Sequence, residues 1–452
     1  MPEEETKCRS SARSLLSKLT LVLPISVFLI YVLSPAVNSG DARMTYPTAV
    51  SIYQSLDLAI EDFPSVVEVA PSYDTTTLDD EIFMAYPWPT ALFLVPSAAF
   101  ADVFFGVEPK SVSIYSPNQT WPYEVFTAAV LMAVATRVFL LSIKHHGRRA
   151  QVISTVGLTF GSVWWSAVSR GMSQHAAAAP FVVLMLVLLV RSRTNNRNLE
   201  WLGAVVALAF VMRPTMAIAL AVCSVWIFVR HREVFSRYVM TGLCIAVPFL
   251  LVNLASYGEL LPGYYRTGPL LQGNLFSGLS GILLSPSRGL LISSPVVVIA
   301  AFGFIQRFRE KLLDDVDLIL LVILVLHILM VASWPNWWGG STFGPRLLAE
   351  SMPIIFFYVA EGVQRLSSCF EHRGIRKVAV RFCLPLLLLW SIFVNLQGAA
   401  VRSTLCWNAS PMFIDNSSDR IWDWSDPQFL RGINDFKAGV PIAEVITKSC
   451  SS

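Results

Sequence analysis

Residues 316–346 read VDLILLVILVLHILMVASWPNWWGGSTFGPR. Up to Trp334 the polar residues are Asp317, His327 and Ser333, and everything else is apolar. An α-helix rises about 1.5 Å per residue, so about 20 such residues cross a hydrocarbon core about 30 Å thick. The character then changes: Pro335, the pair Trp337-Trp338, Gly339-Gly340, Gly344-Pro345 and finally Arg346. Glycine and proline at this density end a helix. The stretch predicts one spanning helix that delivers an aromatic, glycine-rich loop, closed by an arginine, to one membrane face.

The same apolar signature recurs at 18–37, 123–143, 151–169, 176–191, 199–212, 214–230, 238–256, 289–307, 346–363 and 379–397. Composition agrees: of 452 residues 54% are hydrophobic and only 14% charged, where soluble domains carry about 25% charged residues. Mean hydropathy is +0.57. A net charge of +3 without a basic tail argues against nucleic-acid partners. The 28 Phe, 13 Trp and 12 Tyr exclude whole-chain disorder. The expected fold class is therefore an all-α polytopic membrane protein with about eleven transmembrane helices.

Lysines and arginines keep to the cytoplasmic side. The clusters Lys7/Arg9/Arg13/Lys18, Lys144/Arg148/Arg149, Arg191/Arg193/Arg197, Arg230/Arg232/Arg237, Arg307/Arg309/Lys311 and Arg373/Arg376/Lys377/Arg381 fall at alternate ends of these spans. That pattern fits an N-terminus inside and a C-terminus outside, with a transmembrane domain at 1–397, a first outer loop at 38–122 and a short extracytoplasmic tail at 398–452. Segment 86–107 is apolar but carries three prolines and Asp102. A crossing there would make twelve spans and put Lys144–Arg149 outside, so it reads as a re-entrant or juxtamembrane element. The apolar part of residues 1–39 is long for a signal peptide, which favours an uncleaved first span. Sequons at Asn118, Asn408 and Asn416 lie on outer segments, and Cys406 and Cys450 share the outer tail and can pair. The cysteines show no CxxC and no zinc-like spacing.

Polar residues collect at the outer ends of the spans. Asp41 is the first carboxylate beyond the opening span, followed by Arg43 and an acidic loop. It reads as a proton acceptor or as a solvated partner of Arg43. Arg170 and His175 flank the start of another span, suited to a phosphate or to simple snorkelling. Tyr265-Arg266 and Ser285-Pro286-Ser287-Arg288-Gly289 form a third element; Ser287 and Arg288 in a turn that opens a helix suit phosphate, or only a turn. In the fourth, Trp337 and Trp338 can stack on a sugar or anchor at the interface, and Arg346 can take an anion. No Walker A motif and no GxGxxG in a βαβ setting occurs, which disfavours an ATP-driven pump or a nucleotide-sugar enzyme.

This order of features resembles the GT-C superfamily of polytopic glycosyltransferases, such as protein O-mannosyltransferases and lipid A aminoarabinose transferases, best over residues 15–200. The resemblance implies a GT-C-like bundle with outer-face juxtamembrane helices, set in a bacterial inner membrane. The activity it implies is transfer of a sugar from a polyprenyl-phosphate carrier to an acceptor hydroxyl on a glycan, lipid or protein. Asp41 would match the general base. Arg43, Arg170, His175, Tyr265, Arg266, Ser287, Arg288 and Arg346 would serve the donor phosphate, and Trp337 and Trp338 the sugar or acceptor. Members often carry a further acid in the first outer loop or beside the next span. No resident cofactor is expected apart from a possible divalent cation. A multi-pass transporter or lipid flippase, or a non-catalytic membrane assembly protein, is the competing expectation.

Overall fold

Among the described residues five helices are long and apolar enough to cross a membrane: Pro122–Ser142, Gln174–Ser192, Arg232–Tyr257, Asp315–Ala332 and Phe382–Ala400. They belong to a computed structural model that describes residues 20–36, 40–70, 72–106, 108–111, 113, 117–266, 272–368, 375–447 and 450. The basic cluster at Lys7–Lys18 and the side chain of Asn118 lie outside the described residues. Among those residues the regular secondary structure is helical except for one two-stranded antiparallel sheet. The chain is thus a helical, membrane-associated protein.

The other apolar stretches form shorter or interrupted helices, including Thr20–Leu33, Arg148–Phe160, Trp201–Met212, Pro214–Arg230, Val298–Arg309 and Met352–Ser368. The interruptions have local causes. Arg213, which precedes Pro214, is forced into extended backbone (φ −143°, ψ 105°), because a proline ring disfavours helical geometry in the residue before it. Ser294 before Pro295 breaks a further stretch in the same manner, and the 3-10 turn Arg346–Ser351 precedes the helix Met352–Ser368. The apolar segment 86–107 becomes a 3-10 turn, Trp88–Phe93, and an eleven-residue helix, Val95–Phe105. At 1.5 Å per residue that helix reaches about half-way through a bilayer.

Gln174–Ser192 is the most enclosed of the five long helices, packed between Pro117–Ser142 and Trp201–Met212. Arg232–Tyr257 lies at the periphery and exposes Leu243, Val247, Leu251 and Leu254. An apolar surface this continuous suits lipid, not water. Close helix crossings depend on glycine: a Cβ on Gly203 would strike the Tyr238 carbonyl, so the Trp201–Met212 and Arg232–Tyr257 backbones meet there.

Two polar assemblies sit at opposite ends of the Asp315–Ala332 helix. At its N-terminal end Asp317 is fully buried. Its carboxylate takes 2.7 Å contacts from Arg193, from Arg307 and from the Tyr358 hydroxyl. Beside it Glu361 pairs with Arg307 at 3.1 Å and with His146 at 3.3 Å. These bonds tie together the ends of several helices. The other assembly lies beyond Trp334.

The tail from about residue 401 folds back as a roof over that second end. Cys406 and Cys450 form a disulfide. Trp407 is buried with the Arg420 guanidinium 4.5 Å and the Arg288 guanidinium 5.6 Å from its ring. Its indole N–H donates to the Asp426 carbonyl at 2.9 Å.

Candidate functional site

The chain leaves Thr20–Leu33 and turns at Gly40, where the Arg43 N–H bonds the Gly40 carbonyl and the next helix, Thr45–Ser55, begins. That turn puts Asp41 and Arg43 at the mouth of the bundle. Further on, strands Thr75–Leu78 and Glu81–Met84 pair through a hairpin in which Asp79 and Asp80 both take positive φ. The hairpin register sets Ala85 opposite Asp74, with its N–H on the Asp74 carbonyl at 2.9 Å. Asp74 and Tyr86 are thereby delivered to the place where Asp41 waits.

Arg346 arrives from the glycine-rich loop. Gly339, Gly340 and Gly344 all have positive φ, a conformation that side-chain-bearing residues avoid. The loop they form lets Arg346 donate one N–H to the Gly339 carbonyl at 2.8 Å. Its other terminal nitrogen lies 2.7 Å from the Asp41 carboxylate. Tyr86 donates its hydroxyl to Asp41 at 3.4 Å. Arg43 lies 3.7 Å from Asp74, whose side chain is 1% exposed. Burial pushes the Asp74 carboxyl up to about 7, offset in part by Arg43 and reinforced by the neighbouring Asp41.

A second row of polar groups stands behind this one. The Tyr264 ring packs edge-on against Tyr86 at 5.0 Å. Its hydroxyl accepts from Arg213 at 3.0 Å and from Gln174. Arg213 approaches Glu350 at 3.6 Å, and Glu350 bonds His175 Nδ1 at 2.7 Å. The assembly thus draws on Arg213 at the break before Pro214, on the start of Gln174–Ser192 and on the 3-10 turn Arg346–Ser351.

Of the residues singled out from sequence, Asp41, Arg43, Arg346 and His175 come together here. Others have different neighbours. Arg170 is fully buried and donates to the Tyr31 carbonyl at 2.7 Å and the Ser34 carbonyl at 2.8 Å, closing the end of Thr20–Leu33. Arg288 is fully buried under the tail. It donates to Asn408 at 2.7 Å, to Gln428 and to the carbonyls of Trp338 and Gly340. Ser287 accepts from the Gln428 N–H. Arg266 pairs with Glu259 at the surface, and Tyr265 is buried against Phe210 and Phe249, its hydroxyl donating to Val211. Trp337 is buried against Gly281, while the Trp338 N–H donates to Asp415 at 2.7 Å. Asn408 is buried and bonded through both amide atoms, which leaves its sequon no room for a glycan.

Sequence reasoning passed over Asp74, Tyr86, Tyr264 and Glu350 as site residues. Glu350 had a signal: it is a carboxylate inside an apolar span. Among the described residues no three His, Cys, Asp or Glu side chains converge as metal ligands, and Asp41 and Asp74 each face a guanidinium. No family model, curated protein or solved structure matches the chain.

Proposed function

We propose that the chain is a membrane glycosyltransferase of GT-C type. It would move a sugar from a polyprenyl-phosphate carrier to an acceptor hydroxyl on the extracytoplasmic face. The observation that carries this reading is the pairing of Asp41 with Arg346 at 2.7 Å, beside Asp74, Arg43 and Tyr86. A general base and cations for a departing phosphate are the parts that glycosyl transfer needs, and here they adjoin one another.

In the resting arrangement Arg346 neutralises Asp41. A lipid phosphate brings its own negative charge and competes for Arg346 and Arg43, which releases the Asp41 carboxylate. The acceptor hydroxyl then attacks the anomeric carbon and its proton passes to Asp41. The bond from that carbon to the phosphate oxygen breaks, and the guanidiniums hold the phosphate that leaves. Tyr86 steadies the base, and Asp74 supplies the second acid that relatives of this type carry in the first outer loop. Arg170, Arg266 and Arg288 have no step in this scheme, because their present bonds are structural.

Eleven crossings, an inner N-terminus and an outer tail complete the proposal. The Cys406–Cys450 disulfide supports an outer tail, since disulfides persist in oxidising compartments. Replacing Asp41 by Asn tests the reading. Turnover of a polyprenyl-phosphate sugar should be lost while binding of the lipid phosphate persists; unchanged turnover would refute it. A transporter of the same anionic lipid is the second reading, favoured by the break at Arg213-Pro214 beside buried charges. It predicts transbilayer movement of the lipid without cleavage of the sugar bond.

A further inference from the structure

Below the outer assembly a small internal space separates Pro214–Arg230 from Asp315–Ala332 and the Arg346–Ser351 turn. The volume open to the centre of a water molecule is about 10 Å³. That is the scale at which a cavity admits a single water, provided polar partners line it. Three polar residues with unsatisfied atoms line it: Thr215, His327 and Glu350. Their Oγ1, Nε2 and Oε2 atoms are buried and have no hydrogen-bond partner. A buried polar atom left dry forfeits its hydration without a replacement bond, so three around one cavity demand a ligand.

The direct contact does not close. His327 Nε2 and Glu350 Oε2 are 4.0 Å apart, beyond hydrogen-bond reach and short enough for one bridging molecule. The other faces of these side chains are already committed. His327 Nδ1 meets the Ser351 hydroxyl at 2.7 Å, and Glu350 Oε1 meets His175 at 2.7 Å. A serine hydroxyl donating to Nδ1 leaves the imidazole proton on Nε2, pointing at the gap.

We propose that this cavity is a binding site for one structural water, which accepts from His327 Nε2–H and donates to Glu350 Oε2 and Thr215 Oγ1. A cation fits the site poorly, because Arg213 and His175 already face Glu350. The water converts separate contacts into a hydrogen-bonded string from Ser351 through His327 and Glu350 to His175. The outer assembly is thus anchored to the middle of a spanning helix, whatever reaction it serves.

Radiolytic hydroxyl labelling of the full chain in nanodiscs, read by mass spectrometry, tests the site, because an internal water generates radicals where it is bound. Met185 lines the cavity, and Met132, equally buried at 0% exposure, does not. Met185 should oxidise at least about five-fold faster than Met132. The Thr215→Val/His327→Phe pair removes two partners and should bring Met185 down to the Met132 rate. Equal rates in the wild-type protein would overturn the proposal, and so would fast Met185 oxidation that survives the double substitution. If the double variant fails to fold, the wild-type comparison decides alone.

Discussion

The two polar assemblies at the ends of Asp315–Ala332 differ in how completely they are satisfied. At the N-terminal end both oxygens of Asp317 are fully engaged, by two arginines, the Tyr358 hydroxyl and the Asp314 N–H. At the C-terminal end one oxygen of Glu350 lacks a hydrogen-bond partner, as do His175 Nε2 and the Arg346 Nε. Both ends bury charge. One closes around both oxygens of its carboxylate, leaving an arginine Nε without a hydrogen bond, and the other leaves carboxylate and imidazole atoms open at a cost in stability. Unsatisfied buried polar groups are retained where something else has to bind.

The largest expected effects set these ends against each other. Asp41→Asn should lower turnover by about 10²–10⁴-fold, the range for a lost general base, with a smaller change in unfolding than the Asp317 variant shows. Asp317→Asn should do the reverse. It leaves two arginines without their shared carboxylate and should cost about 3–5 kcal/mol, read as a lowered denaturation midpoint in detergent. Comparable unfolding losses from both variants would erase the distinction.

Asp74 sharpens the contrast through pH. Its carboxyl is raised from 3.8 to about 7, so the folded protein binds that proton more tightly than the unfolded chain does. The resulting stabilisation is fully present below about pH 4 and is lost as pH climbs through 7. Its scale is on the order of 4 kcal/mol. Asp74→Asn should flatten this limb of the stability–pH curve. An unchanged slope between pH 4 and 7 would show that Asp74 is already solvated.

The smallest effect is expected at the rim of the C-terminal end. Trp338→Phe removes one hydrogen bond to Asp415 and should cost about 0.5–1.5 kcal/mol. A loss several times larger would make the tail contact part of the site's framework.

How far the sequence could be read follows the same physics. Hydropathy marks apolar stretches but not helix continuity, so 289–307 and 346–363 read as spans although Pro295 and the Arg346–Ser351 turn interrupt the helical run. Asp41, Arg43, His175 and Arg346 were legible because charge beside apolar spans is costly and rarely idle. Arg170 and Arg288 carry the same local signature, an arginine in a turn, yet they bond to carbonyls and amides more than a hundred residues away. No local pattern encodes those partners. Asp74 was hidden among the acids of its loop, and only the register of the hairpin distinguishes it from Asp79 or Asp80.

In the proposed mechanism Arg346 guards Asp41 until a lipid phosphate takes its place. Cryo-electron microscopy of the protein in nanodiscs with a short-chain prenyl phosphate tests this directly. The account predicts phosphate density within about 3 Å of the Arg346 and Arg43 guanidiniums, and an Asp41 carboxylate drawn away from Arg346. Phosphate lodged elsewhere, with the Asp41–Arg346 contact still at 2.7 Å, would contradict it.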